Sequence, residues 1–534
     1  MSSSAKKLVA ANVHGRIASS VKQEPSQKGF HTFLFVENKA YNAIILLLVG
    51  CQFVIFKMLY PFPDFFSDSY SYIFAAYAHL DVNIWPIGYS KFLLLFHWFT
   101  HSSVALNFFQ YFFLELSALY FYQTLVYFYP TGRATRTILC LFLFFNPLNL
   151  YLANYVTSDA IFIGLSLVWL AQLIWIIHRP RPYQLFVQAL LFIIAFTFRY
   201  NAIYYPILAG IAIFMSGQRL SWKIAGTLVG PLLMAGFILF SRHAAYELLG
   251  TAQFPPILGG WQWGNNALYM REFIEEDSTK FPTPETAELD RIARQYFRTT
   301  PPEYRNLPAY VANFFIRQPE APLKQYMTRH FPVVTTDTAN VIAWGKVAPV
   351  FGQYGLFLIK RHPLAYARHY LLVNTKNYFL PPLEKLEIYN LGQDEMWPIA
   401  GYWFGYPSLK VKSVSKLLQG NLLLLFPGLF MVLNLYFFWS LYSFIRRKGF
   451  QWAPRYFSFT VILVSGFVLL NAAFSIFANI IVIRYQVFPM IVCLTFSMLL
   501  TDYLEQRALS RQLMNDKLRP DPVGYAKPLQ AQIR

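Results

Sequence analysis

The stretch "YNAIILLLVGCQFVIFKMLYPFPDFFSDSYSYIFAAY", from Tyr41 to Tyr77, decides the fold. Its first part, 41–60, is an apolar run with a single charge, Lys57. About 20 such residues wound as a helix cross the hydrocarbon of a bilayer. Two carboxylates, Asp64 and Asp68, follow at once among serines and aromatics. The run predicts a membrane span, and the acids just beyond it predict chemistry at the membrane boundary.

The rest of the chain extends this reading. Of 534 residues, 56% are hydrophobic and 13% charged, against about 25% charged in an average soluble domain. A water-soluble globule of that composition would expose too much apolar surface. The net charge of +19 invites comparison with nucleic-acid binders, which gather their basic residues on one patch. Here the basic residues sit in the tails and in short gaps between apolar runs, so no nucleic acid is expected. Cys51, Cys140 and Cys493 all lie in apolar runs and form no CxxC pair, so neither a zinc site nor a disulfide framework is indicated.

Candidate spans are 41–60, 104–129, 136–151, 159–178, 183–200, 202–216, 222–242, 418–444, 456–478 and 483–503. The apolar run 86–99 is too short to cross and reads as an interfacial helix. The expectation is a mainly α, polytopic transmembrane bundle of about ten spans plus interfacial helices, with one large extracytoplasmic domain. Its parts are a cytoplasmic basic tail (1–40), an N-terminal transmembrane module with catalytic outer loops (41–242), the extracytoplasmic domain (243–417), C-terminal transmembrane helices (418–503) and a cytoplasmic tail (504–534). The N-terminal tail is too long for a cleaved signal peptide, so the first run is read as a retained span.

One orientation satisfies every loop. With Lys6, Lys7, Arg16, Lys22, Lys28 and Lys39 in the cytoplasm, alternate gaps on that side hold Arg133 and Arg136, Arg179 and Arg181, Arg219 and Lys223, and the cluster Arg446, Arg447, Lys448 and Arg455. This is the positive-inside bias. The long insert 243–417 then lies outside and carries no convincing 20-residue apolar run. The outer segments lack both cysteine and an Asn-x-Ser/Thr sequon. These features point to an integral protein of a bacterial inner membrane, with its site facing the periplasm.

On that outer side the order of spans brings Asp64, Asp68 and Asp159 to one depth with Arg199 and Arg484. Each has a plainer reading: Asp68 and Asp159 as helix N-caps, the arginines as snorkelling side chains. Glu115 lies inside a span, where an ionisable residue is a functional suspect or a structural pair. Taken together, arginine offers phosphate a permanently charged planar fork, and a carboxylate accepts a proton from a hydroxyl. An acid, a cation and an apolar groove suit a lipid phosphate whose tail stays in the bilayer.

The motifs "SDSYSYIFAA", "WPIGYSKFLLLF", "NPLNLYLANYVTSDAIFIGLSLVWL", "FTFRYNAIYYPI", "HPLAYARHYLLVNTKNYF" and "IRYQVFPM" occur in this order between residues 41 and 503. Their order and spacing resemble the GT-C superfamily of membrane glycosyltransferases that use lipid-phosphate sugars. The nearest branch holds protein O-mannosyltransferases and the aminoarabinose transferase of lipid A. The resemblance implies a catalytic first-loop acid at Asp68, a second-loop acid at Asp159, and phosphate-binding arginines at Arg199 and Arg484. One branch has Lys ahead of two prolines; Trp85 stands there in this chain, so that lysine's phosphate contact is absent or supplied elsewhere.

The expected reaction moves a sugar from a polyprenyl-phosphate donor to an acceptor hydroxyl, with Asp68 as general base and inversion at the anomeric carbon. Tyr70, Tyr72, Trp85 and Tyr89 are candidate sugar-stacking residues or members of an interfacial belt. The acceptor is open among protein, lipid and glycan; membrane lipids are the other partner. No cofactor is required: a divalent ion beside Asp68 and Asp159 is allowed by their chemistry, but no ligand cluster demands one. The competing class is a transporter or lipid flippase, favoured by Glu115; a non-catalytic scaffold is a third.

Overall fold

The computed structural model describes residues 29–305, 311, 313–331 and 338–518. Lys6, Lys7, Arg16, Lys22 and Lys28 of the basic tail, and the chain beyond 518, lie outside the described residues. The protein is mainly helical; among the described residues the only β features are two isolated bridges, Asp64 with Tyr155 and Glu395 with Lys410.

Nine helices among the described residues are long and apolar enough to cross a membrane: Lys39–Leu59, Ser103–Phe128, Arg133–Asn154, Asp159–His178, Leu220–Leu249, Thr338–Arg361, Leu418–Arg446, Arg455–Ala478 and Val487–Gln512. Pro182–Phe198 and Tyr200–Met215 are apolar but shorter. Arg133–Asn154 is two helices broken where Pro147 has no N–H to donate; the Asn146 side chain caps the second piece by accepting from the Leu148 N–H at 3.0 Å.

Three expectations need correction. The span predicted to end at 242 continues to Leu249, because Arg242, His243 and Glu247 ride on the same helix; it stops at Gly250, whose φ of +72° suits a residue without Cβ. The insert does contain a long apolar helix, Thr338–Arg361, whose continuity is hidden in the sequence by Lys346 and Pro349. Nor is 243–417 one unit. Leu258–Arg271, Pro284–Thr299, Pro322–His330 and Thr338–Arg361 build a second hydrophobic core around Trp261 and Phe351, whereas Leu383, Leu386, Tyr389, Met396 and Trp403 pack into the main core.

Glycines let Leu258–Arg271 and Thr338–Arg361 touch backbone to backbone. A Cβ on Gly260 would lie 1.8 Å from the Ala348 carbonyl oxygen, and one on Gly355 would lie 2.2 Å from that of Trp263. Small residues permit such approach between helices. Arg271 Nε then donates to Asp290 Oδ1 at 2.6 Å, tying the pair to Pro284–Thr299.

The two cores meet along residues 480–483. Ile480 and Val482 face the second core, Ile481 and Ile483 the main one. This alternation is that of extended chain, and the backbone is extended at Asn479 and Val482. Asn374 pins it, accepting from the Ile481 N–H at 3.0 Å and donating to the Asn479 carbonyl at 2.6 Å. The residue that emerges from this seam is Arg484.

The basic connections gather at the other ends of the same helices. Asp502 accepts from the Gly132 N–H at 2.8 Å and from Thr135 Oγ1 at 2.9 Å, and Arg507 donates to the Arg447 carbonyl at 2.7 Å.

Candidate active site

Asp68 sits in the first turn of Ser67–Tyr77, after Phe66 as the N-cap. Asp159 is the first residue of Asp159–His178, after Ser158 as the N-cap. Neither carboxylate is the N-cap residue that the plainer reading predicts; both are turned to cations. Asp68 Oδ1 receives Lys385 Nζ at 2.9 Å, and its Oδ2 receives Arg484 Nη2 at 3.0 Å. The same guanidinium reaches Asp159 Oδ2 through Nη1 at 3.4 Å, and Arg199 Nη1 pairs with Asp159 Oδ1. Thr157 Oγ1 also donates to Asp159, at 2.9 Å. Five charges thus alternate in a row, Lys385, Asp68, Arg484, Asp159, Arg199, with three cations against two carboxylates.

Aromatic rings wall the row. Phe66 lies 4.2 Å from Lys385 Nζ and 5.2 Å from the Arg484 guanidinium carbon, and Tyr485 lies 4.7 Å from that of Arg199 and 4.8 Å from that of Arg484. Arg484 Nη2 donates to the Tyr485 hydroxyl at 2.9 Å, yet its buried Nε–H has no acceptor. Burial by itself would raise the Asp68 pKa; the charges of Lys385 and Arg484 outweigh it and hold the carboxyl at about 2.

Asp68, Asp159, Arg199 and Arg484 open onto a cavity of about 530 Å³, which Tyr72 and Trp85 also line. The rest of its lining is largely apolar, with a group of neutral polar side chains. Gln262 Nε2 donates to Asn266 Oδ1 at 2.8 Å and to Asn479 Oδ1 at 3.1 Å, with Ser475 and Gln486 nearby in the lining.

Two sequence candidates do not reach the cavity. Tyr89 is wholly buried, its hydroxyl donating to Gln110 Oε1 at 2.7 Å. Tyr70 stacks on Trp397 with ring centres 4.5 Å apart, and its hydroxyl accepts from the Trp397 N–H. Both are aromatic, as sugar stacking requires, but their positions on the helices make them packed protein. Glu115 is likewise outside the lining; its Oε1 accepts from Asn149 Nδ2 at 3.2 Å.

A divalent ion does not fit beside Asp68 and Asp159. Their oxygens already face three cations, and no group of three or more His, Cys, Asp or Glu suited to a metal occurs among the described residues.

Lys385 is the site residue that sequence reasoning missed. Its side chain is 5% exposed, and it stands 317 residues from Asp68 in the chain, in the prolyl stretch "LPPLEKLEIYN". No spacing rule marks it in the sequence. A buried scaffold places it. The Tyr155 hydroxyl donates to the Lys385 carbonyl at 2.9 Å, Gln419 Nε2 donates to that hydroxyl at 2.9 Å, and the Asn390 N–H donates to Asp64 Oδ1 at 2.8 Å. Glu384, just ahead, holds a left-handed φ of +56°, a conformation that a side chain adopts only when its surroundings impose it. Burial pushes Asp64 up to about 8 against hydrogen bonds from the Asn390 N–H, Tyr155 and Gln419, and its contacts make the first acid part of the scaffold.

Comparison of the chain with protein families, with curated proteins and with solved structures gives no match.

Proposed function

We propose that the chain is an inverting membrane glycosyltransferase of the GT-C type, moving a sugar from a polyprenyl-phosphate donor to an acceptor hydroxyl. The observation that carries this reading is Arg484. It lines the cavity, bridges two carboxylates and keeps one buried N–H free for an anionic oxygen. Arginine at such a point suits a lipid phosphate. A carboxylate beside it suits a hydroxyl that must lose its proton, and the neutral amides in the cavity lining suit a sugar, since each both donates and accepts.

In this reading Asp68 takes the acceptor proton, the acceptor oxygen bonds to the anomeric carbon, and the bond from that carbon to the phosphate oxygen breaks with its electrons. Polyprenyl phosphate leaves. Arg484 and Arg199 offset its growing charge, which makes a strong general acid unnecessary. Asp159 orients Arg484 between the two sites. The excess of basic residues at the far helix ends supports a reading in which the cavity lies on the outer side of a bacterial inner membrane, facing the periplasm. The transporter reading rested on Glu115, which is bonded to Asn149.

The test is consumption of radiolabelled polyprenyl-phosphate sugars by the purified chain in nanodiscs, with release of polyprenyl phosphate. Absence of turnover and of hydrolysis across a panel of sugars would refute the reading.

A further inference from the structure

Asp68 is poorly suited to act as a base while its two oxygens are held by Lys385 and Arg484. The two cations differ in placement. Arg484 lines the cavity; Lys385 is not among the lining residues and holds the other carboxylate oxygen. Arg484 also keeps a buried Nε–H without an acceptor. Three cations against two carboxylates leave one surplus positive charge, which matches a single phosphodiester.

We propose that Arg484 is an exchangeable mask on Asp68: the donor's phosphate draws the guanidinium off Asp68 Oδ2, while Lys385 stays on Oδ1 and keeps the carboxylate aimed at the cavity. The donor therefore binds before the acceptor, and the base exists only when there is something to transfer. This rests on the transferase reading and adds an order of events and a division of labour between the two cations.

The charges balance. Before transfer, Asp68 and the phosphodiester each carry one negative charge. The acceptor proton passes to Asp68, the new bond forms at the anomeric carbon, and the electron pair of the broken bond stays on the phosphate. Asp68 is then neutral and polyprenyl phosphate is a dianion beside Arg484 and Arg199. The total is unchanged, and the negative charge has moved toward the arginines. Asp68 then passes its proton to the dianion, polyprenyl phosphate departs as the monoanion, and Arg484 returns to the ionised Asp68.

The mask makes a prediction opposite to that for an ordinary ligand residue. Asp68 competes with phosphate for Arg484, so Asp68→Asn should bind polyprenyl phosphate more tightly than wild type, by about tenfold for a coupling of ordinary size. The measurement is equilibrium binding of radiolabelled polyprenyl phosphate to the full chain in nanodiscs, with polyprenol and inorganic phosphate as separate arms. Tightening for the lipid phosphate but not for polyprenol is expected; tightening for inorganic phosphate as well would assign the effect to the head group alone and equally supports the mask. Asp159→Asn removes the other competitor and should tighten binding in the same direction, which covers the case in which Asp68→Asn fails to fold. Adding Arg484→Gln should erase the Asp68→Asn gain and reduce the Asp159→Asn gain, to which the freed Arg199 also contributes. Unchanged or weaker binding in the folded variants overturns the mask. A chain that turns over no sugar-lipid yet shows this pattern keeps the mask and loses the transferase; transfer without tightening does the reverse.

Discussion

Lys385 Nζ and Asp68 Oδ1 stand 2.9 Å apart in a contact that leaves each side chain less than a tenth exposed, at 5% and 7%. A buried ion pair of this kind contributes little net stability, but removing one partner strands the other. Here Asp68 keeps Arg484, so loss of Lys385 should be felt in chemistry more than in folding. Lys385→Met is expected to lower kcat on the order of 100-fold, the scale of one lost charge contact at a reacting centre. Polyprenyl phosphate binding should change little, and Lys385→Arg should recover part of the rate. A large loss of lipid-phosphate affinity in Lys385→Met would make Lys385 a direct phosphate ligand instead.

Arg484 serves two carboxylates that would otherwise face each other across the site. Arg484→Lys keeps the charge but replaces a planar fork with a point donor. It should retain the fold and lose transfer by about 10²-fold or more, the range for one missing electrostatic donor. Thermal unfolding in detergent gives the first half and sugar transfer the second. A fully active lysine variant would refute the bridging role.

The amide wall should read the sugar and not the phosphate. Asn266→Ala removes the acceptor that Gln262 uses at 2.8 Å. It is expected to raise KM for the sugar-linked donor about tenfold, the cost of a good polar contact, with polyprenyl phosphate binding unmoved. Equal loss for both lipids would show that the amides shape the cavity without recognising the sugar.

Asp64 gives a pH signature. Its pKa in the folded protein, about 8, is above the ordinary carboxylate value. Between the two values the folded chain holds a proton that the unfolded chain has lost, so the stability tied to Asp64 is complete below about pH 4 and falls as pH rises to 8. Asp64→Asn cannot ionise. The difference in Tm, Asp64→Asn minus wild type, should therefore grow from pH 5 to 8 and level off above it. A difference that ignores pH would mean Asp64 is ionised throughout.

Gly260 tests the second core. Alanine there would put a methyl 1.8 Å from the Ala348 carbonyl oxygen, backbone against backbone. Gly260→Ala should cost about 1–3 kcal/mol or more, as overpacking does, read as a fall in Tm. Gly236→Ala, with nothing within 4 Å of the added carbon, should leave Tm unchanged or slightly higher.

Much of this molecule is legible along the chain. The runs from 41–60 to 483–503 announce helices because span length and apolarity are local properties. The acids at 64, 68 and 159 and the arginines at 199 and 484 stand out because they flank apolar runs at the ends away from the basic loops. The run at 338–361 was harder to see, since a lysine and a proline dilute a helix that packing against Leu258–Arg271 sustains.

The sequence by itself determined the mainly helical class, the places where long apolar helices form and the short list of charges at their ends, all from composition within windows of about 20 residues. Only the tertiary structure decided which charges meet. Arg484 reaches Asp68 across 416 positions and Lys385 reaches it across 317, because an extended seam between two cores and a strained prolyl turn deliver them there. The same packing turned Tyr70 and Tyr89 away from the cavity and, by burial, raised the Asp64 pKa. A side chain's neighbours, and hence its charge and reactivity, are set by convergence of distant segments, which no local pattern encodes.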